Sequence, residues 1–261
     1  MMNTLGLIVV FTLLGSVVAL VGGAVLLYKE KFAIKISHYL SSFAAGALLG
    51  TAFLDLLPEA AHHAEELGLE TNIFIWTLVG ILSFFLLERF IHWFHHHHEH
   101  VVDAKERKSI VPLVILGDST HNFIDGVVIA ATFMVSIPLG IVTTLAVAAH
   151  EIPQEIGDFG ILLHRGIKRS KVLLVNFLSA LVALAGALLT YVIGESIESY
   201  LPILLSLSAG FFIYIAASDL IPEIHNEERR VVALIETLLL LLGVFVIWFA
   251  MQSLSYLGLS H

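Results

Sequence analysis

Two stretches of the chain place imidazole, carboxylate and carboxamide groups at helical spacing inside otherwise apolar sequence. The first reads GDSTHNFIDG at 117–126, and the second reads HEIPQEIGDFG at 150–160. In each stretch a histidine, His121 or His150, is followed four residues later by a side chain that bears an oxygen ligand. Residues four apart lie on one face of an α-helix, so each helix can offer a nitrogen and an oxygen donor side by side. Donors of this kind bind divalent transition metals.

The polar side chains of each stretch fall on a single helical face at about 100° per residue. The first face holds Asp118, His121, Asn122 and Asp125, and the second holds His150, Glu151, Gln154, Glu155 and Asp158. Neither stretch contains a lysine or arginine that could pair with the carboxylates. A divalent cation bound between the two faces would offset the cost of burying so many ionisable groups. A proton relay or a structural hydrogen-bond network is the alternative interpretation.

Composition narrows the chemistry further. The 261 residues include 14 histidines and no cysteine, so a metal would have to be held by nitrogen and oxygen ligands without thiolates. The formal net charge of -9 argues against nucleic acid as a partner, because a phosphate backbone requires a basic surface. No organic cofactor is indicated by any motif.

The elements that must position these stretches are membrane spans. With 58% apolar residues, 13% charged residues and a mean hydropathy of +0.93, the chain is typical of proteins that lie in a lipid bilayer. Eight stretches reach the roughly 20 residues that a helical span requires: 5–27, 38–60, 72–93, 110–133, 139–163, 172–194, 201–222 and 230–254. We interpret the first as a span and not a removable signal, because it has no basic leader. The sequence therefore predicts an all-α polytopic membrane protein with one transmembrane domain over 1–261.

The basic residues predict how the spans are oriented. All 13 lie in alternate connections or at their edges: Lys29, Lys31, Lys35, Arg89, Lys105, Arg107, Lys108, Arg165, Lys168, Arg169, Lys171, Arg229 and Arg230. Because short cytoplasmic loops are enriched in Lys and Arg, this pattern places those connections in the cytoplasm. Both termini are then extracytoplasmic in a multi-pass protein of the cell membrane.

The spans that carry the two polar stretches are joined by a short segment around Val135–Pro138, which predicts an antiparallel helical hairpin. His121 precedes the turn by about as many residues as separate the turn from His150, so at 1.5 Å per residue both lie about 20 Å deep. The two polar faces should therefore meet near the middle of the bilayer.

An internal repeat is also visible. Residues 45–60 (AGALLGTAFLDLLPEA) align without a gap to 209–224 (AGFFIYIAASDLIPEI), including Asp55 with Asp219 and Pro58 with Pro222. The two copies run in opposite directions across the membrane in the predicted topology. Inverted repeats of this kind are common in secondary transporters.

HNFIDG at 121–126 and HEIPQEIGDFG at 150–160 resemble the fourth- and fifth-helix signatures of the ZIP (Zrt/Irt-like) metal transporters, and the eight-helix topology is similar too. The resemblance implies transport of zinc toward the cytoplasm, with iron, manganese or cadmium as further substrates. It also implies an inverted three-helix repeat around a central helix pair, and commonly a homodimer. The cation would be the transported substrate and not a cofactor.

The resemblance also implies which residues bind the metal. His121, Asp125, His150 and Gln154 would form the primary site, and Asn122 and Glu151 a neighbouring one, together with Glu155 and Asp158. Gln154 is neutral and is a weaker ligand than the histidine or glutamate that some members have at this position. Helix six offers Asn176 and Ser179, without the carboxylate that some relatives use for a second metal.

Two other functions are compatible with parts of the sequence. His150–Glu151 begins like the HExxH motif of zinc metallohydrolases, although the fifth position is Gln154 instead of the second histidine. An intramembrane zinc hydrolase is therefore the main alternative, and a proton-coupled transporter of another solute is the next. A histidine-rich connection at 92–109, expected in the cytoplasm, could capture or sense metal at the exit.

Overall fold

The computed structural model describes residues 3–96, 111–164, 166–225 and 229–256. These residues form eight long helical segments, and none of them lies in a strand. In chain order the segments are α1 (Thr4–Tyr28), α2 (30–66), α3 (Ile73–His96), α4 (Val111–Val135), α5 (Ile137–His164), α6 (Arg169–Ile197), α7 (201–225) and α8 (Arg230–Tyr256). The all-α class is thereby confirmed for the described residues, and each predicted span overlaps a single segment.

By length and composition, six of these segments could cross a membrane: α1, α2, α3, α6, α7 and α8. The remaining two, α4 and α5, carry the polar stretches described above. Both are long enough, at 25 and 28 residues, but buried carboxylates, histidines and amides reduce their mean hydropathy. The two helices that length and composition do not identify as spans are therefore the ones that carry the polar stretches.

Two helices extend beyond the predicted spans. The connection expected between the first two spans is almost entirely helical, because α1 ends at Tyr28 and α2 begins at Glu30. This segment lacks glycine and proline after position 28, and its Lys, Glu and Ala residues favour a helix. At the other boundary, α3 continues to His96, so the first residues of the predicted histidine-rich connection are helical. The remainder of that connection, 97–109, lies outside the described residues.

The turn of the α4–α5 hairpin consists of a single residue, Ser136, which lies between the end of α4 and the start of α5. Its hydroxyl oxygen accepts a hydrogen bond from the backbone N–H of Leu139 at 3.3 Å, as expected of a residue that caps a helix N-terminus. Pro138 occupies the first turn of α5, where its missing N–H costs no helical hydrogen bond. The predicted antiparallel hairpin thus has a tight, well-specified turn.

Glycines bring particular pairs of helices into backbone contact. A Cβ added to Gly126 of α4 would overlap the carbonyl oxygen of Ala183 in α6, and one added to Gly186 of α6 would overlap that of Phe123 in α4. The same reciprocal contact joins α2 to α8 and α3 to α7; the glycines are Gly46 with Gly243 and Gly80 with Gly210. Small residues of this kind allow close packing where lipid supplies no hydrophobic driving force.

Helices α2 and α7 share an unusual feature. Each contains a π-helical turn, Thr51–Leu56 in α2 and Ile215–Leu220 in α7. These two turns occupy the same six columns of the alignment between 45–60 and 209–224, and each is followed by a proline in the next helical turn. The π turns and the sequence repeat therefore coincide, position by position.

Candidate metal centre

Four side chains from the α4–α5 hairpin converge below the protein surface. They are His121 and Asp125 of α4 and His150 and Glu151 of α5, and one ligand atom from each lies within 4.8 Å of the other three. His150, Glu151 and Asp125 are 1%, 3% and 3% exposed, while the side chain of His121 is 11% exposed. The hairpin thus brings together two imidazoles and two carboxylates, as its predicted depth required.

The distances suit one small cation. The two Nε2 atoms of His121 and His150 lie 3.0 Å apart. Asp125 Oδ2 lies 3.7 Å from His121 Nε2 and 3.4 Å from His150 Nε2. Glu151 Oε1 lies 3.5 Å and 3.9 Å from the same two nitrogens. Tetrahedral zinc with bonds of about 2.0–2.1 Å keeps its ligand atoms about 3.3–3.4 Å apart. The separations in the cluster, from 3.0 to 3.9 Å, lie on either side of that value.

The carboxylate oxygens that face the histidines lack a well-formed hydrogen bond to any described residue. Asp125 Oδ2 and Glu151 Oε1 are both buried, and neither accepts a hydrogen bond from the described residues. Buried polar atoms are almost always paired, because an unpaired one costs the full free energy of its lost hydration. Two such oxygens aimed at the same two imidazoles form an incomplete polar site, and a cation would complete it.

His150 is held in a tautomer suited to metal binding. Its Nδ1 lies 3.2 Å from the carbonyl oxygen of Ala146, and since a carbonyl can only accept, Nδ1 carries the proton. The lone pair of the neutral ring is then on Nε2, which faces the cluster. Metal-binding histidines usually donate their second nitrogen to a carbonyl or carboxylate in this way, which fixes the ring orientation.

The other predicted site residues lie around this cluster. Asn122 is buried, and its amide nitrogen donates to Asp118 Oδ1 at 2.9 Å and lies 3.5 Å from the hydroxyl of Ser179 in α6. Glu155 is buried with Oε2 unpaired among the described residues, whereas Gln154 and Asp158 are half-buried. Glu151, which the resemblance placed at the neighbouring site, is the α5 carboxylate that approaches His121. The metal-binding roles of the predicted residues remain predictions.

Two features near the cluster were not among the predicted metal-binding residues. Asp118 shares the polar face of α4, and the structure gives it a specific role as the hydrogen-bond acceptor of Asn122. The second feature is aromatic: the rings of Phe84 in α3 and Phe212 in α7 pack against the two imidazoles. Phenylalanine in an apolar span is indistinguishable in sequence from an ordinary lipid-facing or core residue, so no signal pointed to these two.

The helices and the cluster together define a helical membrane protein with a buried histidine–carboxylate group between two of its helices. Comparison with known proteins identifies the family. The family model described as ZIP zinc transporter matches residues 3–110 and 94–251, and the chain belongs to that family. The resemblance drawn from the two helix signatures is thereby confirmed.

Curated relatives agree with the family match. The chain is 34% identical over 221 residues to zinc transporter ZIP13 of Pongo abelii, an alignment that covers 79% of this chain and 64% of the relative. It is 29% identical over 266 residues to zinc transporter ZIP4 of Mus musculus, covering 74% and 40% respectively. The chain therefore spans somewhat under two thirds of the first relative and less than half of the second.

Proposed function

We propose that this protein moves a divalent transition-metal cation, with zinc as the first candidate, across a membrane toward the cytoplasm through the α4–α5 cluster. The convergence of two imidazole nitrogens and two carboxylate oxygens from His121, Asp125, His150 and Glu151 is the observation that carries the proposal. A mixed set of nitrogen and oxygen ligands suits zinc, and it leaves iron, manganese and cadmium as further substrates. The relatives named above are zinc transporters by description.

A transport role fits the chain better than hydrolysis. The matched relatives are transporters and not enzymes, and the HExxH pattern lacks its second histidine at Gln154. In that pattern the glutamate following the first histidine acts as the base and stays off the metal. Here the carboxylate of Glu151 instead joins the convergent group, 3.5 Å from His121.

The predicted membrane arrangement belongs to the same proposal. We propose eight spans, extracytoplasmic termini and location in the cell membrane, supported by the apolar composition and by the distribution of the basic residues. The coincidence of the two π turns with the repeat of 45–60 and 209–224 supports an inverted repeat around the central α4–α5 pair. We also propose that the protein forms a homodimer and that the histidine-rich connection at 92–109 captures metal.

Uptake by sealed vesicles tests the proposal. Vesicles containing the protein should accumulate zinc faster than empty vesicles do. Any manganese or cadmium that the protein transports should also enter these vesicles faster than empty ones, at a rate that differs from that of zinc. Inductively coupled plasma mass spectrometry of washed vesicles measures each ion directly. Equal accumulation by vesicles with and without the protein, for every divalent ion, would refute transport. Release of a cleaved peptide from membrane substrates would instead support the hydrolase interpretation.

Gln154 provides a prediction about selectivity. It lies one helical turn beyond His150 and therefore on the same side of α5. We expect Gln154→His to raise the preference for zinc over manganese several-fold, because imidazole suits zinc whereas oxygen ligands suit the harder ion. Competition between the two ions in uptake by the parent and the variant measures the change. An unaltered selectivity ratio would show that Gln154 does not contact the transported ion.

A further inference from the structure

Two phenylalanine rings from outside the α4–α5 hairpin contact the two imidazoles of the cluster. Phe84 of α3 meets His121 edge to face, with ring centroids 5.6 Å apart and planes at 89°. Phe212 of α7 meets His150 at 6.2 Å and 63°. Phe84 is 6% exposed and Phe212 fully buried. Edge-to-face packing is among the preferred arrangements of aromatic pairs, so these contacts favour particular ring orientations.

The two imidazoles differ in what else holds them. His150 is oriented by its hydrogen bond to the carbonyl of Ala146 in addition to the contact with Phe212. Among the described residues, His121 has no hydrogen bond to the backbone, and its Nε2 faces only members of the cluster. The His121 ring is therefore oriented by its contacts with His150 and the other cluster members, and from outside the cluster by Phe84.

Phe84 is itself rigidly placed. Its ring packs against Phe211 at 5.6 Å and against Tyr214 at 5.5 Å, both from α7. The hydroxyl of Tyr214 donates to Glu88 Oε2 at 2.5 Å, and Glu88 lies one turn beyond Phe84 on α3. The same two helices are clamped by the reciprocal contacts of Gly80 and Gly210. Phe84 is thus fixed by neighbours that take no part in the cluster.

We propose that Phe84 is a positioning residue for the cation: it holds the imidazole of His121 edge-on, so that Nε2 points at the other three ligand atoms. The proposal rests on the proposed function, because it assumes that the cluster binds the transported ion. Ligands must be held within about 0.5 Å of their working geometry by packing around them. A loosened His121 would bind the same cation in a distorted, weaker site.

The test uses the full-length protein in detergent, with Co²⁺ as a spectroscopic probe and Zn²⁺ as its competitor. Phe84→Leu and Phe84→Met remove the ring but keep an apolar side chain of similar size. Both should weaken Co²⁺ binding by roughly three- to tenfold, the range that an aromatic pair supports, and should change the visible absorption of the bound ion. Phe84→Tyr retains the ring and should restore the parent spectrum.

Two matched variants sharpen the comparison. Phe212→Leu should have the smaller effect on affinity, because the hydrogen bond to Ala146 still orients His150. Phe74 lies on the same helix as Phe84 but is 70% exposed. Phe74→Leu should therefore leave both the Co²⁺ affinity and the spectrum unaltered. Thermal unfolding midpoints measured without metal separate a change of site geometry from a loss of stability.

The possible outcomes separate this proposal from the proposed function. Weaker binding and an altered Co²⁺ spectrum in the ring-deleted variants, with restoration by Phe84→Tyr, support positioning by Phe84. If His121→Ala abolishes the Co²⁺ spectrum while Phe84→Leu and Phe84→Met leave it unchanged, the site stands and the positioning role is refuted. An effect of Phe212→Leu as large as that of Phe84→Leu also refutes it. A parent protein that binds neither ion would overturn both proposals.

Discussion

Replacing His150 with alanine is expected to abolish metal uptake while leaving the protein folded. Its Nε2 lies within 3.9 Å of ligand atoms from His121, Asp125 and Glu151, so its loss opens the centre of the cluster. Removing an outer-shell partner of a metal ligand costs about 10- to 100-fold in affinity, and the loss of a ligand itself should exceed that. Vesicle uptake of zinc, scaled to the amount of folded protein, measures the result.

The same prediction extends to His121→Ala and Asp125→Ala. If the three residues hold a single ion, their effects should not add, because one missing ligand already destroys the site. The double variant that combines His121→Ala with His150→Ala should therefore take up as much zinc as either single variant does. His225→Ala, an exposed histidine at the end of α7, is the control and should transport at the parent rate. Parent-like uptake by all three site variants would show that the cluster is not on the transport path.

Gly126→Ala should cause the second large effect, a loss of stability. The added Cβ would overlap the carbonyl oxygen of Ala183, and a backbone atom cannot turn aside as a side chain can. Helices α4 and α6 would have to separate, at a cost of at least the 1–3 kcal/mol that is typical of overpacking. The thermal unfolding midpoint in detergent should fall by several degrees, together with the yield of folded protein.

Gly157→Ala is the matched control for this substitution. Gly157 also lies within a helix of the hairpin, but a Cβ added there meets nothing within 4 Å. Because alanine is a better helix former than glycine, this variant should be as stable as the parent or more stable by about 0.5–1 kcal/mol. Equal midpoints for the two variants would contradict the close packing of α4 against α6.

Helical periodicity was sufficient to predict which faces of α4 and α5 meet. It placed Asp118, His121 and Asp125 on one face of α4, and it placed His150 and Glu151 on one face of α5. A short turn then forced both histidines to the same depth, because the rise per residue of a helix is constant. These are local, geometric regularities, and the convergence of the four ligand atoms within 4.8 Å agrees with them.

Periodicity could not decide which member of a polar face points into the centre. Glu151 and Gln154 lie on neighbouring parts of the α5 face, and only the rotation and tilt of α5 against α4 bring the Glu151 carboxylate to within 3.5 Å of His121. That rotation results from packing by the whole bundle, including the backbone contacts at Gly126 and Gly186. Side-chain rotamers then set the final distances, and they depend on neighbours far away in the chain.

The sequence by itself determined the helical membrane class, the hairpin and the family, because hydropathy, turn chemistry and short motifs are local properties of the chain. The tertiary structure alone revealed the π turns in α2 and α7, the reciprocal glycine contacts between helix pairs, and the packing of the Phe84 ring against His121. Phe84 and His121 are separated by 37 positions in the sequence, and they meet only because α3 packs on α7 beside the hairpin. Contacts between residues so distant in sequence are set by the packing of all the helices, which no local pattern specifies.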